Sequence, residues 1–118
     1  MTSYTAWRAA FADALDDRFY TIDWLDSRIA DGSALCLSSD TAAIVTEIRE
    51  YPTGAKDIHG LIAAGDLETI VNDLIPAAEA LGRQLGCIGA IIESREGWTK
   101  VLCGAGYQPY QTAVRKEF

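Results

Sequence analysis

The stretch Asp57–Phe118, DIHGLIAAGDLETIVNDLIPAAEALGRQLGCIGAIIESREGWTKVLCGAGYQPYQTAVRKEF, decides the fold. Residues 57 to 64 have the length and apolar content of a strand, closed by Gly65-Asp66. Asp66 then opens a helix, because an aspartate there accepts hydrogen bonds from the unpaired N–H groups of the first turn. Leu67, Ile70, Val71, Leu74, Ala78, Leu81 and Leu85 follow at helical spacing and define one apolar face. Pro76 falls inside this run; it has no backbone donor, so a kink or a split is expected there. Gly86 ends the helix. Cys87–Ile92 is an unbroken apolar run of strand length, which predicts a central strand covered on both faces. A further helix over 96–104 carries Trp98, Val101 and Leu102 and is stopped by Gly104 and Gly106. Residues 107–117 read as a last strand, with Pro109 pushing its start toward a sheet edge. The strand-helix-strand unit between 57 and 92 predicts a right-handed parallel crossover.

The N-terminal half supplies helices and a meander. Trp7, Ala10, Phe11, Ala14 and Leu15 share one face of a helix over 5–18, with Asp13, Asp16 and Asp17 on the wet side. Thr21 caps a second helix, Ile22, Leu25 and Ile29 face inward, and Asp31-Gly32 ends it. Strands are expected at 34–38, 42–51 and 57–64. In the longest, Ala43, Val45, Glu47, Arg49 and Tyr51 alternate with Ile44, Thr46, Ile48 and Glu50, the pattern of a strand covered mainly on one side. Short connections, including the turn Pro52-Thr53-Gly54, make the three strands antiparallel. The fold class is thus α/β (α+β): a mixed sheet in the order α-α-β-β-β-α-β-α-β, with helices on both faces and residues 1–118 as a single domain.

Composition limits the function. Seventeen acidic side chains against ten basic ones leave a net charge of −7. Nucleic-acid binders replace phosphate counterions with basic faces, so no nucleic-acid partner is expected. Lys100, Arg115 and Lys116 read as a solvated face. No apolar run approaches the ~20 residues of a membrane helix, and no secretory pattern opens the sequence. Cys36, Cys87 and Cys103 each sit in an apolar context and read as small buried hydrophobes of a reducing cytosol. The single histidine, His59, leaves one conceivable Cys–His pair, and no group has metal-ligand spacing, so no metal is expected.

The element order resembles the GNAT superfamily of N-acyltransferases. Asp57–Ala64 matches that family's fourth strand, Asp66–Leu85 its main helix, Cys87–Ile92 its fifth strand and Gly106-Tyr107 its aromatic glycine pair. The family's first strand is missing. The stretches Thr46-Glu47-Ile48-Arg49-Glu50-Tyr51, Ala64-Gly65-Asp66-Leu67 and Gly97-Trp98, with Arg115-Lys116-Glu117, are similar to small GNAT-like proteins of phages and prophages. That resemblance implies the cytoplasm of a bacterial host, or association with a virion.

The resemblance implies a cofactor site, and the residues only partly supply it. Family enzymes hold acetyl-CoA in a Q/R-x-x-G-x-G/A turn, whose N–H groups meet the pyrophosphate at a helix N-terminus. The matching residues here are Ala63, Ala64, Gly65, Asp66 and Leu67, which would contact CoA if it binds. Asp66 and Glu68 put carboxylates where the pyrophosphate would lie, and Asp66 reads as a plain helix cap. Arg83 or Arg95 would offset that charge if either came close. The tyrosine that many family members use as general acid falls, counted back from Tyr107, on Leu102. Glu47 and His59 are the candidate catalytic residues, with Glu50 and Glu93 as further carboxylates beside the sheet.

Three readings follow. The first is a non-catalytic structural or protein-binding module with a degenerate acetyl-CoA site. It would work through a protein partner or self-association, with Trp24, Tyr51, Trp98 and Tyr110 as candidate surface aromatics and a homodimer through the C-terminal edge strand. The alternative is an acetyl-CoA-dependent N-acyltransferase whose pantetheine arm lies in the gap between the fourth and fifth strands. A binder of some other small ligand in that gap is a third reading.

Overall fold

The computed structural model describes residues 2–94 and 96–118. Two helices, α1 (Thr2–Ala14) and α2 (Ile22–Ala30), precede three strands, β1 (Ala34–Ser38), β2 (Ala42–Glu50) and β3 (Lys56–Gly65). A long helical segment follows: α3 (Leu67–Thr69), a π turn (Ile70–Leu74) and α4 (Ile75–Gln84). Strand β4 (Gly89–Ile92) and helix α5 (Glu96–Gly104) come last. The sheet order is β1-β2-β3-β4, with β1, β2 and β3 antiparallel and β4 parallel to β3. The expected meander and parallel crossover are therefore present.

Helix α1 stops four residues earlier than its apolar spacing suggests. Asp16 takes the backbone for itself: its Oδ1 accepts from Arg18 N at 3.1 Å, and its carbonyl accepts from Phe19 N at 3.0 Å. Short acidic side chains compete with the helix ladder in this way. Thr21 does cap α2, its Oγ1 accepting from Trp24 N at 3.1 Å, and Gly32 follows with φ +80°.

Two cores form, one on each sheet face. Phe11 and Leu25, both fully buried, meet Tyr4, Ala34, Cys36, Ala43 and Val45 beneath α1 and α2. On the other face Ile44 and Ile58 meet Ile70, Leu74, Ile75, Ala78 and Leu102 from the long helix and α5. The first five residues of β2 are buried on both faces, against the one-sided covering expected for it. Cys36 is buried, but Cys87 is half-buried and Cys103 exposed, so only one cysteine is a core hydrophobe. Val101 is also more exposed than its helical position implied.

Pro76 does not split the helix. A proline in a regular α-helix loses one hydrogen bond and collides with the carbonyl four residues back. Here the preceding turn widens instead to i→i+5 bonding, with Ile75 N reaching Ile70 O. The wider turn brings Ile75 into the core beside Leu74, while Leu67 and Leu85, at the two ends of the expected apolar face, are exposed.

The expected last strand is absent. Residues 107–118 have no strand pairing, so β4 is a sheet edge among the described residues rather than a central strand. The strand is also shorter than the run Cys87–Ile92, and Ile88 is 80% exposed. Tyr107 holds the start of this segment, its OH donating to Glu79 Oε2 at 2.7 Å. The other end is held at the turn after α1: Glu117 pairs with Arg18 at 3.2 Å, and the Arg115 guanidinium lies 4.8 Å from the Phe19 ring centre. Arg115 of the expected basic face is thus engaged there.

Gly65 fixes how β3 hands the chain to the helix. It has φ +98°, and a Cβ there would lie 2.4 Å from the Thr41 carbonyl oxygen. Gly32 shares the positive φ but has open space around it. Gly32→Ala is expected to cost about 1 kcal/mol, the strain of a left-handed residue. Gly65→Ala adds overpacking, for about 3 kcal/mol. Urea unfolding of both variants checks the difference.

Candidate active site where two parallel strands part

Strands β3 and β4 pair only from Asp57–Gly60 to Gly89–Ile92. Beyond Gly60, β3 stays bonded to β2 as far as Gly65, while no strand pairs with its other edge among the described residues. A bulge marks the parting. Val45 faces Ile62 and Thr46 faces Gly60, leaving Leu61 as the extra residue. Leu61 and Ile62 consequently both pack toward α1 and α2. Bulges bend a strand and raise its twist. The resulting gap opens into a cavity of about 270 Å³ lined by His59, Gly60, Leu61 and Glu93, with Tyr20 and Trp24 from the α2 side.

A charged network covers the floor of this gap. Alternation along β2 and β3 sends Glu47, Arg49, Asp57 and His59 to the face covered by α1 and α2. Glu47 is directly across from His59, and Arg49 from Asp57. Glu47 Oε2 lies 2.6 Å from His59 Nδ1, and its Oε1 accepts from Arg28 Nη2 at 2.8 Å. Arg28 is in turn fixed by Ser33 Oγ, at 2.6 Å from its Nε. On the gap side, His59 Nε2 lies 2.9 Å from Glu93 Oε1, which also accepts from Arg49 Nη2 at 3.0 Å. The His59 side chain is 8% exposed and the Glu93 side chain 63%.

The two glutamates are held differently. Burial pushes the Glu47 carboxyl up, but the hydrogen bonds and charges of Arg28 and His59 outweigh it and leave it below its ordinary value. Glu93 is lowered chiefly by its hydrogen bond from Arg49, against its partial burial, with the His59 charge assisting. Glu47 is therefore an ionised acceptor already committed to two donors, which suits it to orienting His59 rather than to taking a proton. A neutral imidazole has one N–H, so it donates to one of the two carboxylates at a time; the doubly protonated ring donates to both.

The structure brings Glu47, His59 and Glu93 together and leaves Glu50 exposed at the far end of β2. The partners Arg28 and Arg49 were not read as site residues. The one signal for Arg49 was its place two residues after Glu47 on the same strand face. Arg28 had none, since which α2 residue overlies the sheet depends on packing. Because both nitrogens of His59 face carboxylates, the conceivable Cys–His pair is not formed. Among the described residues no group of histidine, cysteine and acidic side chains is arranged to hold a metal ion.

The remaining candidates lie along the free edge of β3. Ala63 faces the long helix, and Ala64 faces α1. Asp66 Oδ2 accepts from Thr69 N at 2.9 Å and from Thr69 Oγ1 at 2.7 Å. The Thr69 side chain and backbone hold the Asp66 carboxyl below its ordinary value, so it stays charged at the helix N-terminus. Leu67 follows it, exposed. Arg83 does not relieve this charge: it is in the last turn of α4, about 25 Å along the helix by its rise per residue. Arg95 lies outside the described residues. Leu102, at the position of the expected proton donor, is buried. Tyr107 bonds Glu79 on the other face, its hydroxyl pushed far up by burial and by that carboxylate.

No family model matches the chain, and no curated protein matches it. Solved structures do match. An aminoglycoside 6'-N-acetyltransferase from Acinetobacter haemolyticus superposes with a TM-score of 0.72 over 99% of this chain and 92% of its own, at 16% identity. A GCN5-related N-acetyltransferase from Ralstonia eutropha JMP134 gives 0.67 over 98% and 87%, at 24% identity. A predicted acetyltransferase from Clostridium acetobutylicum, solved with acetyl-CoA, gives 0.65 over 87% and 76%, at 8% identity. The chain has the fold of the GNAT acetyltransferases, and these identities speak to fold alone. A phage or prophage source rests on the quoted motifs only. No helix among the described residues is long and apolar enough to cross a membrane.

Glu47 generates a pH prediction. Its folded value is depressed, so its contribution to stability is fully present above the ordinary carboxyl range. That contribution is lost as pH falls through the folded value. Glu47→Gln is expected to cost about 2 kcal/mol near neutral pH. The gap from wild type should close in acid, where the native carboxylate is protonated too. Denaturant midpoints across a pH series check this, and a gap that widens in acid would contradict it.

Proposed function

We propose that this chain is an acetyl-CoA-dependent N-acyltransferase, with its reacting centre at the mouth of the β3–β4 gap. One observation carries the reading: the two parallel strands part immediately beyond Gly60, next to His59, whose imidazole is bonded by Glu47. The fold of the matched acetyltransferases supports it, as does the acetyl-CoA in the Clostridium acetobutylicum structure.

The fit to the cofactor is uneven. Leu61–Gly65 offer a free strand edge with small side chains at 63, 64 and 65, where a pantetheine arm can lie as an added strand. The helix N-terminus is less suitable, because Asp66 already occupies the Thr69 N–H and carries negative charge. Acetyl-CoA supplies an activated acyl thioester; transfer forms the amide C–N bond and breaks the C–S bond, the thiol leaving with a proton. In this reading His59 Nε2 accepts the proton that the attacking amine gives up. That requires both Glu93 and the Arg49 guanidinium, whose Nη2 lies 3.3 Å from Nε2, to move off that nitrogen, and Glu93 is exposed enough just after β4 to do so. Glu47 and Arg28 keep Nδ1 as the donor nitrogen, so that the lone pair of Nε2 faces the gap.

Asp66 favours the non-catalytic reading as the alternative: a GNAT-fold binding module, of phage type if the motif resemblance holds, whose cofactor turn is closed. Calorimetry with acetyl-CoA and CoA separates the two. The enzyme reading expects binding by the wild type and CoA release when an amine panel is added. Asp66→Ser, which keeps a neutral cap, should tighten binding roughly tenfold, about 1.4 kcal/mol. His59→Gln should lower turnover by roughly 10²–10⁴-fold with acetyl-CoA affinity unchanged. If only Asp66→Ser binds, the turn is closed in the natural chain and the binding-module reading stands. If neither protein binds at millimolar ligand, the acyltransferase reading fails.

A further inference from the structure

The cavity of about 270 Å³ at the strand gap has two unlike walls. One is charged, where Glu93 stands beside His59. The other is apolar: Leu15 just after α1, Leu61 at the bulge, and the rings of Tyr20 and Trp24. Among the described residues no lysine or arginine lines it. The arginines nearby are committed to carboxylates, Arg28 to Glu47, Arg49 to Glu93 and Arg18 to Asp16. The volume falls below the roughly 300–1,000 Å³ that drug-sized ligands occupy, so the matching ligand is small.

The aromatic wall is held in place by the chain itself. Tyr20 N donates to the Asp16 carbonyl at 2.9 Å, and the Tyr20 ring centre lies 4.9 Å from that of Trp24. The Arg28 guanidinium, fixed by Glu47 and Ser33, lies 5.5 Å from the Trp24 ring centre. A cation is thus already seated against that ring. The wall is left to take an uncharged body, and a positive charge on the ligand belongs at Glu93. That carboxylate can receive it: its contacts with His59 and Arg49 both use Oε1, and Oε2 can accept a further donor. One carboxylate matches one ammonium. A polyamine or an amino sugar would leave its other charges and hydroxyls unpaired against leucine and tryptophan, which costs binding energy.

We propose that this pocket binds a small primary amine carrying one positive charge and an apolar or aromatic body, with the ammonium at Glu93 and the body against Tyr20, Trp24 and Leu61. Its use as the acyl acceptor rests on the acyltransferase reading above; the binding itself needs no cofactor.

A heteronuclear NMR titration of the chain without acetyl-CoA tests this, followed by acyl-transfer assays on the same compounds. Millimolar 2-phenylethylamine should shift the Trp24 indole and Leu61 signals saturably. The neutral analogue 2-phenylethanol should bind about fivefold more weakly, the loss of an exposed ion pair. Spermidine and kanamycin should leave those signals in place. Glu93→Gln should abolish the preference for amine over alcohol. Tyr20→Ser, at a half-exposed position, should weaken both compounds about fivefold with the fold intact. The absence of saturable shifts at Trp24 and Leu61 overturns the proposal, as does a preference for the amine that survives Glu93→Gln. Faster acylation of spermidine or kanamycin than of 2-phenylethylamine overturns it too, while leaving the acyltransferase reading in place. Amine binding with no acyl transfer sinks that reading instead and leaves the pocket assigned.

Discussion

The unequal bonding of β3 governs the rest of the molecule. On one side it pairs with β2 along its whole length; on the other it pairs with β4 over four residues only. The parallel partner can arrive only after the long helix has returned the chain, and that helix begins at Asp66, directly behind β3. Gly82 sets how closely it returns, since a Cβ there would lie 2.8 Å from Ile58 Cγ2. Close packing at that point brings Gly89 opposite Asp57, where the strands meet. Beyond Gly60 and Ile92 no strand pairing joins them among the described residues, and the bulge at Leu61 bends β3 there. The gap is thus a consequence of the crossover.

The same alternation that builds the core delivers charge to the gap. On the face under α1 and α2, the β2–β3 ladder runs from Ala43, Val45, Ile62 and Ala64 to Glu47, Arg49, Asp57 and His59. The apolar half seats the two helices. The charged half is partly covered, and desolvated ions cost several kcal/mol each unless paired. Every member is paired: Arg28 with Glu47, Glu47 with His59, His59 and Arg49 with Glu93, Tyr51 with Asp57. Such a network adds little net stability compared with a hydrophobic patch of equal size. What it achieves is a fixed imidazole at the mouth of a strand gap.

Most of the fold was legible because it rests on local rules. Thr21, Gly32 and Asp66 act through their own backbone neighbours, and the strands at 34–38 and 57–64 are bounded by turn residues. Three features were not legible, each for a non-local reason. The π turn arises because a proline clash is relieved by widening the previous turn, which no periodicity reveals. β4 reads as a central strand because Cys87–Ile92 is apolar throughout, yet its exposure depends on whether residues 107–117 join the sheet. The last strand fails because Tyr107 and Arg115–Glu117 tie both ends of that segment to side chains far away in sequence. Of the site, Glu47 and His59 were visible as residue types on strands; that they touch depends on a register one bulge removed from regular, and the clamp from Arg28 depends on how α2 seats on the sheet.

Asp66 places the protein between two uses of one helix end. The N–H groups of a helix's first turn can bind a phosphate or a capping side chain. A capping aspartate satisfies them inside the chain, and here Thr69 adds a hydroxyl bond that fastens it, while Thr41 bonds Thr69 in turn. A phosphate must displace that carboxylate or lie beside it against like charge. A pantetheine arm would meet no such competitor, because the strand edge beyond Gly60 is unpaired among the described residues. Recognition through this gap is therefore weighted toward the arm and the acyl end, and away from the pyrophosphate. The chemistry that His59 offers depends on the first of these and the affinity for the cofactor on both, so the two can part company in this chain.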